Sequence, residues 1–331
     1  MMSMTAVKKV LDKPDLPQAS ASTRIKHFIG DYGILVIFAV VVIYLSFATA
    51  SFLTFDNLIN VVRQSSIVGF IALGMTFVMI TAGIDLSVGS VVGLTGVVAA
   101  TLAPAGGTAF LVPVLIGLLV GATVGFLNST MIVWGGILPF LATLAMMAVV
   151  RSASLIFTNG QPVSGLSGPF QWLGSGMIGP LPVPVVLFFV AALITDFVLS
   201  RTKFGRHVYA VGGNEESAKK VGISVRRILI AVYVIAGCLA SLAGIVLTAR
   251  VDGADPLAGT GYELLAIAAV VIGGTSLFGG VGTIRGTVLG VLLVAVVMNG
   301  LNLLNVSSYY QQAVQGIILV LAVLLNRWKS D

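Results

Sequence analysis

Residues 109–134 read AFLVPVLIGLLVGATVGFLNSTMIVW, 26 positions without a charged side chain. An α-helix needs about 20 apolar residues to cross a hydrocarbon core about 30 Å thick, so this stretch reads as a membrane span. The pattern recurs on both sides of it. Apolar runs near 33–53, 65–82, 86–104, 137–157, 182–199, 228–249, 262–279, 285–304 and 308–326 bring the expected number to ten. Ten such spans would take roughly 60% of the chain, close to its 57% apolar content. Only 9% of the residues are charged, against about 25% in soluble domains. The sequence therefore predicts an all-α, polytopic membrane protein. The runs are continuous rather than alternating, which excludes an outer-membrane barrel.

The basic residues set the expected orientation. With both termini placed in the cytoplasm, fifteen of the 18 Lys and Arg fall inside: five in the N-terminal tail, seven in the loop 200–227, Arg285, Arg327 and Lys329. Only Arg63 and Arg250 fall outside, and Arg151 lies within a span. Cytoplasmic loops hold such an excess, and an odd span count would destroy it. The net charge of +6 is thus topological, and nucleic acid is not expected as a partner. Residues 1–32 read as a flexible cytoplasmic tail, 33–326 as one transmembrane domain with the loop 200–227 on its inner side, and 327–331 as a short cytoplasmic tail. Ala48-Thr49-Ala50 resembles a signal-peptidase site, but the long polar leader favours an uncleaved first span.

Enzyme chemistry has no residues to rest on. There is no phosphate-cradling Gly-rich Lys-Ser/Thr motif, no nucleophile elbow and no metal-ligand spacing around His27 or His207. No catalytic residue, metal site or cofactor is expected in the chain. An ion-driven carrier would hold ionisable groups in its spans, and here only Arg151 is clearly internal. The lone Cys238 permits no internal disulfide.

The longest inner connection is constructed as a helix. In GGNEESAKKVGIS, following Val211, Asn214 can cap, Glu215 and Glu216 sit in the first turn, Lys219 and Lys220 in the last, and Gly222 can terminate. Pairs at i,i+4 join Glu215 to Lys219 and Glu216 to Lys220. Such a loop is either a solvated topogenic connector or a docking helix for a soluble partner.

Four stretches narrow the choice: GMTFVMITAGIDLSVGS (74–90), AVGGNEESAKKVGIS (210–224), GGTSLFGG (273–280) and NGLNLLNVSSYYQ (299–311). In this order, over about 34–326, the chain resembles the permease subunit of ribose-type monosaccharide ABC importers. The resemblance implies a ten-span subunit in the bacterial inner membrane that pairs with a second copy and receives sugar from a periplasmic binding protein. A cytoplasmic ATPase subunit, which holds ATP and Mg, drives it. It also implies that 213–223 form the coupling helix, with Gly213, Asn214, Glu215, Glu216, Ser217, Lys219, Lys220 and Gly222 against that ATPase. A stand-alone carrier or facilitator for a small polar solute is the alternative, and a receptor without flux a second one.

Polar residues near the spans supply candidates for the pathway or its gate. Asn299, Asn302 and Asn305 are spaced by three, so they are expected on one helical face, followed by Tyr309 and Tyr310. Amides can pair with sugar hydroxyls and an aromatic ring can cover a sugar face; helix packing and an interfacial aromatic belt are the other reading. Arg151 either snorkels outward or lines the cavity. Asp85 reads as an N-cap and, from the motif around it, as a cytoplasmic gate turn. Arg63 and Gln64 open the second span, where lipid-interface anchoring is equally open. Gly117, Gly121 and Gly125 mark a flat packing face. GIDLSVGS (83–90) faintly echoes GTSLFGGV (274–281). The uncharged outer segment 158–181, with Phe170 and Trp172, is expected to form part of the landing surface for the binding protein.

Overall fold

The computed structural model describes residues 21–104, 107 and 110–330. Residues 1–20 of the expected tail lie outside the described residues. The helices are α1 (Ala21–Ala48), α2 (Phe55–Ile80), α3 (Val88–Thr101), α4 (Leu111–Val133) and α5 (Pro139–Thr158). After the two-residue strand β1 (Val163–Ser164) come α6 (Gly168–Ser175), β2 (Met177–Ile178), β3 (Leu181–Pro182) and α7 (Val183–Arg201). Then follow α8 (Lys203–Gly213), α9 (Glu215–Lys220), α10 (Val225–Val251), β4 (Gly253–Ala254), α11 (Tyr262–Ile272), α12 (Ile284–Leu303) and α13 (Ser308–Ser330).

Each expected apolar run contains a helix, and six of these, α2, α4, α5, α7, α10 and α12, are long and apolar enough to cross a membrane. The boundaries differ for identifiable reasons. Helix α1 begins at Ala21, inside the expected tail, because no Pro interrupts the stretch between Ala21 and Gly33. Helix α2 begins ten residues before the expected 65, since FDNLINVVRQ carries the helix through polar positions. The run 262–279 stops at Ile272: Gly274 has φ +92, in the left-handed region that helices cannot continue through.

Helix α2 is the core, buried at Ser65, Ser66 and Ile67 and continuously from Gly69 to Ile80. Around it lie α10, α11, α12 and α7; on α7, Phe188 meets Phe70 edge to face at 5.9 Å between ring centroids. The most extensive helix pair is α4 with α10. Its seam is glycine on both sides. A Cβ on Gly121 would stand 2.3 Å from the Gly237 carbonyl oxygen, and one on Gly125 would stand 2.2 Å from that of Tyr233. The expected flat face at Gly117, Gly121 and Gly125 is therefore a contact surface for α10. Two short antiparallel pairs, β1 with β4 and β2 with β3, lie at the end of the helices opposite α9.

Candidate functional site

At the α9 end, local signals define the geometry. Asn214 Oδ1 accepts the Ser217 amide at 2.7 Å, capping α9, and Gly222 has φ +85 just beyond its last residue. Lys219 Nζ meets Glu215 at 2.6 Å. No ion pair joins Glu216 to Lys220 among the described residues. The helix is shorter than 213–223, because Gly213 ends the preceding α8 instead of opening α9. Helix α8 went unforeseen. Thr202 caps it by accepting the Gly205 amide, and the Tyr209 hydroxyl donates to the Gly282 carbonyl at 2.7 Å. Gly212 then passes so close to the Ile80 carbonyl that no side chain would fit, and the Gly280 amide donates to that same carbonyl at 2.9 Å. The end of α2 and the glycines that follow α11 thus meet beneath α8.

Asp85 is not an exposed turn. It is 1% exposed, and its carboxylate accepts from the Ser87 amide at 2.9 Å and the Ser87 hydroxyl at 2.6 Å. Asn128 on α4 closes the cluster, donating to Ser87 Oγ at 2.8 Å and reaching both Asp85 oxygens at 3.5 Å. Burial raises the Asp85 carboxyl to about 6, against the lowering effect of these hydrogen bonds. Asn128 was missed, although a lone amide inside an uncharged 26-residue run is itself a signal. Between α9, the turn at 81–83, the α4–α5 connection and the start of α10 lies a cavity of about 460 Å³, lined by Glu215, Lys219, Arg226 and Tyr233 among others.

At the opposite end the candidates separate. Asn299 is 8% exposed and exchanges amide hydrogen bonds with Asn57 on α2. Asn302 accepts from Gln311 at 2.8 Å. Asn305 lies beyond the end of α12 with φ +56. The three asparagines do not share a helical face, since the helix stops before the third. Tyr309 and Tyr310 are exposed on the first turn of α13, and Gln64 is exposed on α2. Arg63 touches Met177 Sδ at 3.8 Å. Arg151 donates through Nη1 to the Leu257 carbonyl at 3.0 Å and to Thr260 Oγ1 at 2.6 Å, and so is held by protein in place of snorkelling freely.

The landing surface needs correction. Phe170 is fully buried, packed with Val97, Leu166 and Ile245, and cannot meet a partner. Trp172, on the same helix, is 48% exposed. Asp252 anchors this segment: it ends α10 at φ +55 and accepts from the Leu166 amide and from Gln171 Nε2.

Residues 57–323 match the family described as the permease component of the branched-chain amino acid transport system. The chain belongs to this permease family. It is 44% identical over 300 residues to a ribose import permease of Escherichia coli (strain K12), covering 89% of this chain and 93% of the relative. A ribose import permease of Bacillus subtilis (strain 168) is 46% identical over 293 residues, covering 88% and 91%. A D-allose transport system permease of Escherichia coli (strain K12) is 42% identical over 298 residues, covering 89% and 91%. No solved structure matches the chain.

Proposed function

We propose that the chain is the membrane subunit of an ATP-driven monosaccharide importer, with ribose as its sugar. The observation that carries the reading is near full-length similarity to relatives named for ribose and D-allose transport. The chain lies in the bacterial inner membrane as a multi-pass permease. In this reading ten helices span it, both termini face the cytoplasm, and a second copy completes the lipid-embedded unit. A periplasmic binding protein hands over the sugar. A cytoplasmic ATPase subunit, holding ATP and Mg, grips α9 and the residues that flank it, through Gly213, Asn214, Glu215, Glu216, Ser217, Lys219, Lys220 and Gly222. The capped α9, continuous through a four-residue turn with the long α10, is a mechanically direct way to tip helices between outward and inward states. Arg63, Gln64, Arg151, Tyr309 and Tyr310 remain assigned to the pathway, and Trp172 to docking. Asn299 and Asn302 act there only through the partners that hold them, and Asp85 belongs to a buried inner latch with Ser87 and Asn128.

The test is ATP hydrolysis by the ATPase subunit assembled with this chain in lipid nanodiscs. Stimulation by sugar-loaded binding protein is the expected result. A rate indifferent to this chain and to the binding protein would contradict the coupling.

A further inference from the structure

The segment joining α10 to α11 does not stay at the membrane surface. At its start, Ala254 lies against α3 at Gly96; further on, a Cβ on Gly93 would stand 2.9 Å from the Pro256 carbonyl oxygen, and one on Gly89 would stand 2.6 Å from that of Gly259. Gly96 to Gly89 is seven helical residues, so the segment descends about 10 Å along α3. Helix α11 then begins at this depth and has 11 residues, about 16 Å of helix and roughly half a hydrocarbon core. Arg151 supports the same depth. It lies seven residues before the end of α5, about 10 Å into the span, and there it grips Leu257 and Thr260. Ser154 Oγ adds a hydrogen bond to the Pro256 carbonyl at 3.1 Å.

Irregular backbone at membrane depth persists only where protein buries it or where it lines an aqueous cavity. Here one edge is not buried by the chain: Asp255, Leu257 and Thr260 are exposed and Arg151 is half-buried. Both Asp255 and Glu263 lie within electrostatic reach of Arg151. Glu263, in the first turn of α11 and 9% exposed, accepts the Gly261 amide through Oε1, while its buried Oε2 has no hydrogen-bond partner. Lipid does not face the charged edge formed by Asp255 and Arg151, and charged side chains are depleted from the cores of protein interfaces. What remains is a water-filled path.

We propose that Arg151, Asp255, Thr260 and the start of α11 form a monosaccharide-binding site part-way across the membrane. The chemistry matches a neutral polyhydroxylated ligand. The guanidinium supplies donors beyond the two bonds it makes, Asp255 supplies an acceptor through the oxygen not taken by the Leu257 amide, and Thr260 Oγ1, which donates to the Leu257 carbonyl at 2.7 Å and accepts from Arg151, leaves one further acceptor position; Asp255 beside Arg151 offsets its charge at the exposed edge. The proposal rests on the importer reading above and adds to it the place where the sugar pauses.

The experiment uses the assembled transporter in proteoliposomes, with Cys238→Ser as background. Thr260→Cys is expected to react with a quaternary-ammonium methanethiosulfonate at least about tenfold faster than Leu119→Cys on the exposed face of α4, and ribose-loaded binding protein with ATP is expected to slow that reaction. Labelling as slow as at Leu119→Cys, or unaffected by sugar, overturns the site. In parallel, Asp255→Asn and Thr260→Val are expected to lower ribose uptake about tenfold, while Thr260→Ser retains it and binding-protein-stimulated ATP hydrolysis persists in all three. Full uptake by both Asp255→Asn and Thr260→Val also overturns it. A wild-type assembly without ATP-dependent uptake contradicts the importer reading itself, whereas normal wild-type uptake with an inert Thr260→Cys contradicts only the site.

Discussion

Asn57 and Asn299, 242 residues apart, exchange two amide hydrogen bonds: Asn57 Nδ2 to Asn299 Oδ1 at 3.1 Å, and Asn299 Nδ2 to Asn57 Oδ1 at 2.8 Å. The pair ties α2 to the end of α12. Removing Asn299 leaves Asn57 Oδ1 without its donor in a part-buried site, although Asn57 Nδ2 keeps its bond to the Phe52 carbonyl at 2.8 Å, so Asn299→Ala is expected to cost about 1 kcal/mol. The double variant with Asn57→Ala should be less destabilised than the sum of the singles. Thermal unfolding in detergent reads both, and strict additivity would show that the amides act independently.

The seam of α4 and α10 depends on the absence of side chains. Gly121→Leu is expected to destabilise the protein by about 1–3 kcal/mol or more, because a Cβ there already overlaps Ser241 and the Gly237 carbonyl. Gly168→Ala, where nothing lies within 4 Å of the added carbon, is the matched control and should leave the unfolding midpoint unchanged.

Asp85 predicts a pH dependence. Its carboxyl lies at about 6, above the ordinary 3.8, chiefly through burial. The folded state therefore holds the proton more tightly than the unfolded chain, so this contribution is fully present below about 4, is lost as pH rises to about 6, and then stays level. Two pH units correspond to about 3 kcal/mol. Asp85→Asn is expected to remove that slope and to be the more stable form at pH 7–8, as measured by unfolding midpoints between pH 4 and 8. Parallel curves for the two proteins would show that Asp85 does not titrate in this range.

Reversing Glu215 and Glu216 to lysine should weaken association with the ATPase subunit about tenfold, with little effect on folding. The Glu215–Lys219 pair is more than half exposed, and exposed pairs contribute at most about 1 kcal/mol. Co-purification and the unfolding midpoint separate the two effects. Undiminished assembly would return α9 to the role of a topogenic connector.

What the sequence made legible was local. Membrane-length apolar runs such as 109–134 announce themselves, and Asn214, Glu215, Lys219 and Gly222 fall in the positions that cap, charge and end a helix within nine residues. What it concealed depends on distant partners. Nothing near Asp85 says that Asn128 closes over it, and nothing near Arg151 names Thr260, 109 residues away. Phe170 reads alike whether it faces a partner or the core. The run 262–279 stays apolar past Ile272, so hydropathy carried the span through glycines that end the helix. Helix α8 was hidden because its charges counted equally well toward topology.

The most direct test is ribose uptake into proteoliposomes containing this chain, with and without the ATPase subunit and the sugar-loaded binding protein. The account predicts accumulation only when both partners and ATP are present. Accumulation or equilibration of ribose by this chain alone would contradict it and make the protein a carrier or facilitator in its own right.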